Sequence, residues 1–258
     1  LGLVIVITSF ALMMVPEKSS EIRSLHQKKN DNKLLHKLNA NNKISKIFVW
    51  LYGTIINPLV SFFKKNTFSV AIGILSFIFL FKIGEAFLGR MSIIFYKEIG
   101  FSKIDIALYS KGIGWITTIT FTLLGGLFAI RMGLIKAMFV SGILMALTNL
   151  MFSALAWVGQ SEILFAFTVL IDDLAAAFAT VAFVAFISAL VDRTYTATQY
   201  ALLASIGTAG RTLFASSSGA LVDWLNGDWG IFFIITALMV IPSLLCLLAI
   251  KKKLKLNE

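Results

Sequence analysis

Long apolar runs separated by short polar segments occupy most of this chain. Six of these runs predict membrane-spanning helices, because an α-helix of roughly 20 apolar residues crosses the hydrocarbon core of a bilayer. They cover residues 68–92, 104–130, 137–158, 163–191, 199–225 and 230–250. Since the connecting segments are short, neighbouring helices are expected to pack antiparallel in one bundle over residues 68–250.

The remaining segments are shorter or more polar. Residues 1–15 are apolar but too short for a complete crossing, so they are predicted to end a preceding transmembrane helix. Residues 16–67 predict a cytoplasmic linker. Within it, residues 47–63 carry apolar side chains at helical spacing between lysines, which predicts an interfacial amphipathic helix that could break at Pro58. Residues 251–258 predict a basic cytoplasmic tail.

Composition supports a membrane protein. Apolar residues make up 58% of the chain and charged residues 14%, whereas soluble domains average roughly 45–50% and about 25%. The length of the apolar runs favours helices over the short alternating strands of an outer-membrane barrel. The predicted fold is therefore an all-α membrane protein with a six-helix bundle, and its 23 Phe residues are expected to face lipid.

The basic residues predict an orientation. A net charge of +10 would suggest nucleic acid as the partner of a soluble protein. Here the Lys and Arg residues cluster in a few loops, and the positive-inside rule accounts for them without nucleic acid. If residues 16–67 are cytoplasmic and the spans alternate, only Lys97 and Lys103 lie on the far side. Membrane lipid is thus the expected surrounding, with the linker and C-terminus in the cytoplasm.

Several ionisable side chains fall inside the predicted spans, where each costs about 2.5–3.5 kcal/mol on insertion scales. The candidate site residues among them are Lys82, Glu85, Lys111, Asp172, Asp173 and Arg211. If all of them faced lipid, the total cost would match the net stability of many proteins, so we expect them to face the bundle interior or a cavity. Two interpretations stay open: ion pairs that hold the helices together, or handling of a substrate and protons.

Spacing and charge suggest individual roles. Lys82 and Glu85 are three residues apart, so they share a helix face and can pair. Burial favours the protonated form of a carboxylic acid, which makes Glu85 and Asp172 candidate proton carriers. Asp173 points about 100° away from Asp172, and the spacing leaves open which of the two faces the cavity. The cations of the set are candidates for binding carboxylates of an anionic substrate.

Four segments carry a family resemblance. They are NPLVSFFKKN (57–66), FKIGEAF (81–87), SKGIGW (110–115) and DRTYTATQYALLASIGTAGR (192–211). In order and spacing they resemble the C-terminal half of the muropeptide permease (AmpG) family, within the major facilitator superfamily. The resemblance covers nearly the whole chain, with residues 1–15 corresponding to the end of a sixth helix.

The resemblance implies a twelve-helix, proton-coupled symporter that imports anhydro-muropeptides across the bacterial inner membrane for cell-wall recycling. It implies a small anionic glycopeptide as substrate and the proton gradient as energy source, with no cofactor and no metal. It also implies a substrate-binding or proton-coupling role for Gln199. Because only the C-terminal half is matched, the expected partner is a missing N-terminal six-helix half, and we expect no transport by this chain alone.

Other functions remain open at this stage. The charges indicate an anion more clearly than a sugar, so a related carrier for another amphipathic anion is one alternative. A non-transporting remnant of a split gene is another. A membrane-embedded enzyme would need a nucleophile–base pair or a metal cluster. The predicted spans hold no such grouping of His, Cys and Glu, so no enzymatic activity is expected.

Overall fold

The structure is a computed structural model that describes residues 52–112, 114–192 and 195–254. The predicted helix end at residues 1–15, most of the linker and the last residues of the tail lie outside the described residues. The chain divides after residue 61 into two units. In the first, Tyr52–Ile56 forms a π-helical turn. The winding changes to α at Asn57, immediately before Pro58.

All regular elements of the described residues are helical, which confirms the predicted all-α fold. They are α1 (Asn57–Lys65), α2 (Phe68–Leu80), α3 (Ile83–Glu98), α4 (Lys103–Ile106), a π-helical turn (Ala107–Gly112), α5 (Gly114–Met132), α6 (Leu134–Val158), α7 (Glu162–Leu190), α8 (Thr196–Ala215), α9 (Ser218–Trp224), α10 (Trp229–Leu238) and α11 (Ile241–Lys251).

Four helical stretches among the described residues are long and apolar enough to cross a membrane. They are Phe68–Glu98, Leu134–Val158, Glu162–Leu190 and Trp229–Lys251, and the apolar helix Ile116–Met132 is shorter. The second and fifth predicted spans are each divided, by the π-helical turn before α5 and by a turn between α8 and α9. Six complete crossings therefore stay a prediction.

The first span contains a break in its middle. Helix α2 ends at Leu80, and α3 begins at Ile83 after a turn at Phe81 and Lys82. Lys82 therefore occupies the N-cap position of α3 and Glu85 lies in its first turn. The positive end of the α3 dipole favours a negative charge at that place, so the break helps to hold the Glu85 carboxylate.

The division between α8 and α9 has a local cause in three consecutive serines. The hydroxyl groups of Ser216, Ser217 and Ser218 each donate a hydrogen bond to the backbone carbonyl three residues earlier, at 2.6 to 2.7 Å. Such bonds compete with the regular helical ladder and bend helices. The fifth predicted span is therefore two helices joined by a serine turn.

Packing in the second unit follows a few close helix pairs. Helix α7 packs against α5 and α6, and α6 also packs against α10. Helix α2 packs against α8 and α11, and α3 against α8 and α10. Many phenylalanines fill the spaces between them, including the fully buried Phe77, Phe95, Phe152, Phe186 and Phe233. The expectation that the phenylalanines face lipid was wrong for this set, because their rings pack against one another inside the bundle in edge-to-face and tilted contacts.

Helices α2 and α8 approach closely at Gly210. A Cβ atom at this position would overlap the backbone carbonyl of Phe79, a group that cannot rotate away. Close contacts over small residues are the usual way in which membrane helices associate.

We expect Gly210→Ala to lower the free energy of unfolding by about 1–3 kcal/mol, the usual cost of overpacking. The matched control is Gly126→Ala in α5, where an added Cβ meets nothing within 4 Å. Reversible SDS-induced unfolding of the detergent-solubilised protein measures both. Equal stability of the two variants would contradict the close approach.

Candidate functional site

A layer of polar side chains lies between two apolar clusters in the helix bundle. One cluster contains Phe81, Met145 and Ala175, and the other contains Ile83, Phe152 and Val169. Lys82 on the first span, Thr148 and Asn149 on α6 and Asp172 on α7 lie between members of the two clusters, and Glu85 pairs with Lys82. We call these residues the polar layer: Lys82, Glu85, Thr148, Asn149 and Asp172.

An ion pair lies at the centre of the polar layer. The Lys82 ammonium is 3.1 Å from Oε2 of Glu85, and the two side chains are 13% and 19% exposed. The same ammonium donates a hydrogen bond of 2.8 Å to the Thr180 hydroxyl on α7. That hydroxyl donates in turn to the Ala176 carbonyl at 2.7 Å. The predicted pairing of Lys82 and Glu85 is therefore present, and it links α3 to α7.

Asp172 lies eight residues before Thr180 on α7, so the two side chains are offset by about 80° around the helix. Its carboxyl group is half-buried, contacts the Thr148 side chain of α6 and interacts electrostatically with Glu85. The structure thus brings together Lys82, Glu85 and Asp172, from two different spans.

Asp173 points elsewhere, as its angle on the helix requires. Its Oδ2 atom accepts a hydrogen bond of 2.7 Å from the Thr117 hydroxyl on α5. It also lines a cavity of about 470 Å³ together with Tyr109 and Glu162. Of the two neighbouring carboxylates, Asp172 is the one that interacts with Thr148 and Glu85, so we assign it to the polar layer.

The remaining predicted residues lie apart from this cluster. The amide oxygen of Gln199 accepts a hydrogen bond of 2.6 Å from the Asp192 backbone N–H, so this side chain holds the connection between α7 and α8. The side chain of Lys111 lies outside the described part of the structure. Arg211 is exposed and lines a separate cavity of about 300 Å³ together with Arg90.

The sequence reasoning missed Asn149 and Arg90. Asn149 is 2% exposed, and within the described ranges its side-chain nitrogen has no hydrogen-bond partner. Asn149 could have been found as a polar residue within an apolar run. It was missed because only ionisable residues were considered. Arg90 lies two residues before the end of the predicted span 68–92 and was not considered as a site residue. The helix continues to Glu98, as the apolar residues after Arg90 could have indicated.

No family model matches the chain, but individual relatives do. A Rickettsia felis protein named as a candidate AmpG transporter is 34% identical over 210 residues, covering 81% of this chain and 49% of the relative. A similarly named Rickettsia prowazekii protein is 31% identical over 75% of this chain and 44% of its own length. The anhydromuropeptide permease of Escherichia coli K12 is 29% identical over 78% of this chain and 40% of the relative. The chain belongs to the AmpG family.

This AmpG-family chain spans about half the length of the relatives it matches, or less. Together with the long apolar helices, the relationship makes it a multi-pass membrane protein. The resemblance predicted from the four sequence segments is confirmed. The polar layer of this AmpG chain offers ionisable oxygens, an ammonium group and hydroxyl groups in a half-buried setting, which suits exchange of a proton and contact with a charged solute.

Proposed function

We propose that this chain forms half of the translocation pathway of a proton-coupled importer of anhydro-muropeptides in the bacterial inner membrane, serving cell-wall recycling. The observation that carries the proposal is the polar layer between two apolar clusters. It is supported by the relationship to the Escherichia coli protein named anhydromuropeptide permease. In this proposal the linker and the C-terminus are cytoplasmic, as the positive-inside rule predicts.

The energetic cost of the polar layer favours a role in substrate or proton binding over a purely structural role. Each ionisable group within a span costs about 2.5–3.5 kcal/mol, and a well-packed apolar replacement of a buried ion pair is often at least as stable. Groups of this kind therefore tend to mark substrate and proton pathways in membrane proteins. The helix break at Phe81 and Lys82 fits as well, because binding sites of secondary transporters are typically formed by discontinuous helices near the bilayer midplane.

The roles follow from the contacts. Glu85 pairs with the Lys82 ammonium at 3.1 Å and lies in the first turn of α3. Asp172 interacts with the Thr148 hydroxyl and with the Glu85 and Asp173 carboxylates, and no ion pair of Asp172 occurs among the described residues. Asp172 is therefore the proposed proton carrier. Lys82 exchanges its contact with Glu85 for a carboxylate of the anionic glycopeptide, with the proton gradient as energy source and no cofactor.

Transport requires a second half. Secondary transporters of this kind alternate access by rocking two helix bundles around a site at their interface. We propose that the partner of this chain is an N-terminal six-helix half, and that residues 1–258 alone do not import the glycopeptide.

The test is uptake of labelled anhydro-muropeptide by bacterial cells that lack their own permease for it. The chain is expressed alone or with the first half of the Rickettsia felis relative, and affinity capture of that half reports assembly. We expect uptake only in the pair, and we expect a protonophore to abolish it. The matched control is the Rickettsia felis protein expressed as its own two halves, which shows that a divided transporter assembles.

Each other result contradicts a named part of the proposal. Uptake by the chain alone would contradict the need for a second half. Failure to capture the partner, while the control halves assemble, would indicate a non-transporting remnant. An assembled pair that imports other amphipathic anions but no anhydro-muropeptide would replace the proposed substrate.

A further inference from the structure

We propose that Arg90 and Arg211 together bind a carboxylate group of the ligand, in the cavity between α3 and α8. This inference rests on the proposed function, because the ligand it names is the anionic glycopeptide. It adds a second point of contact to the polar layer and assigns a role to Arg90, which the sequence did not mark as a site residue.

The two arginines reach one cavity from different helices. The cavity has a volume of about 300 Å³. Its lining from α3 is Ala86, Gly89 and Arg90, and its lining from α8 is Arg211, Thr212, Ala215 and the C-cap residue Ser216. Helices α3 and α8 are packed against each other. The contact of Gly210 with Phe79 brings α8 close to the preceding helix α2, and this places the adjacent Arg211 at the cavity.

Neither guanidinium has an acidic partner. Across residues 52–112, 114–192 and 195–254, no carboxylate forms an ion pair with Arg90 or Arg211, and no hydrogen bond engages either side chain. Both arginines are exposed, and two like charges that line one cavity repel each other. An anion between them would remove the repulsion and replace the missing partners.

A carboxylate suits the available donors. Guanidinium groups present planar pairs of N–H donors that match a carboxylate in a bidentate geometry. The neighbouring Thr212 and Ser216 add hydroxyl groups to the lining. The proposed ligand must carry an oxyanion, and both a peptide carboxylate and a lipid phosphate provide that chemistry.

The lining favours a soluble ligand over a lipid. The side chains around the two arginines are small or polar, so they offer little surface to an acyl chain. The cleft between α6 and α11 provides the contrast, because Ile135, Phe139, Leu247 and Leu248 line it beside two lysines. An anionic lipid would find headgroup and chain contacts there, whereas the arginine cavity offers only the headgroup contact.

The cavity also continues the proposed pathway. Ala86 and Gly89 follow Lys82 and Glu85 by four residues each, so all of them lie on one face of the first span. The arginine cavity therefore begins roughly 6 Å along the helix from the ion pair. A glycopeptide with several carboxylates can contact Lys82 at one point and the arginines at another.

The experiment measures equilibrium binding to the chain assembled with the first half of the Rickettsia felis relative and reconstituted in phosphatidylcholine nanodiscs. The probes are a labelled anhydro-muropeptide with free carboxylates and the same molecule with its carboxylates converted to amides. Variants R90Q, R211Q, R90K and R211K are compared with wild type. The matched control is K97Q, which removes an exposed cation from the same helix α3 outside the cavity.

We expect R90Q and R211Q each to weaken binding of the free acid by about tenfold, because a charge-assisted hydrogen bond is lost. Binding of the amide should change little in either variant. The lysine variants should lie between wild type and the glutamine variants, because the charge remains while the bidentate geometry is lost. K97Q should bind as wild type does, and thermal unfolding of each variant verifies folding.

Three outcomes would overturn the inference or its basis. If wild type binds the free acid and both glutamine variants bind it equally well, the arginine site is wrong while the proposed function stands. If wild type binds neither probe, the proposed function itself fails. If phosphatidylglycerol in the nanodiscs displaces the probe from wild type, and the glutamine variants prevent this lipid binding, the cavity holds a lipid headgroup instead of the glycopeptide.

Discussion

Asp172→Asn is expected to reduce proton-driven uptake by about a hundredfold, the scale on which loss of a positioned proton-transfer group acts. The amide keeps the shape and polarity of the side chain but cannot load and release a proton. Exchange of labelled for unlabelled glycopeptide requires no net proton movement, and we expect it to persist. Both rates are measured in cells expressing the chain with its proposed N-terminal half.

Asp173→Asn is the matched control for this prediction, because the same substitution is made one residue away. Asp173 accepts a hydrogen bond from Thr117 and lies outside the polar layer, so uptake should keep its dependence on the proton gradient. Equal losses in both variants would contradict the distinction between the two carboxylates. Full pH-dependent uptake by Asp172→Asn would exclude Asp172 as the proton carrier.

Lys82→Gln is expected to lower the free energy of unfolding by about 3 kcal/mol, because it leaves the Glu85 carboxylate without its cation. The double variant Lys82→Gln, Glu85→Gln should recover most of this loss, since two neutral amides can hydrogen-bond to each other. SDS-induced unfolding of the detergent-solubilised chain measures the single and double variants without any requirement for transport.

The control for the ion pair is Lys97→Gln, which removes an exposed lysine from the same helix and should leave stability within about 0.5 kcal/mol of wild type. A double variant that is no more stable than Lys82→Gln would show that the pair contributes no coupling energy. In that case Thr180 would be the main partner of the Lys82 ammonium.

Most of the helical architecture could be read from the apolar pattern. Leu134–Val158 and Glu162–Leu190 begin and end within a few residues of the predicted spans, because a run of apolar residues between polar ends defines both termini. The break at Phe81 and Lys82 and the serine turn after Ala215 were missed. Both lie within runs that are apolar on average. A hydropathy average does not show where side chains compete for the hydrogen bonds of the helix backbone.

The candidate site was recovered in part. Helical spacing correctly paired Lys82 with Glu85, since both belong to one helix face. It could not join them to Asp172 or separate them from Arg211, because those relations depend on how different helices are rotated against each other. Asn149 carries no charge, and Arg90 near the end of its predicted span was not considered, so neither entered the candidate set.

By itself, the sequence determined that the chain is an all-α membrane protein of the AmpG family with ionisable residues inside its spans. Composition, the length of the apolar runs and local motifs are properties of single segments, so they do not depend on how the helices pack against one another. Only the tertiary structure decided that Asp172 interacts electrostatically with Glu85, that Asp173 hydrogen-bonds to Thr117 and that Arg90 shares a cavity with Arg211. These contacts join residues far apart in the chain, and interhelical packing sets their distances.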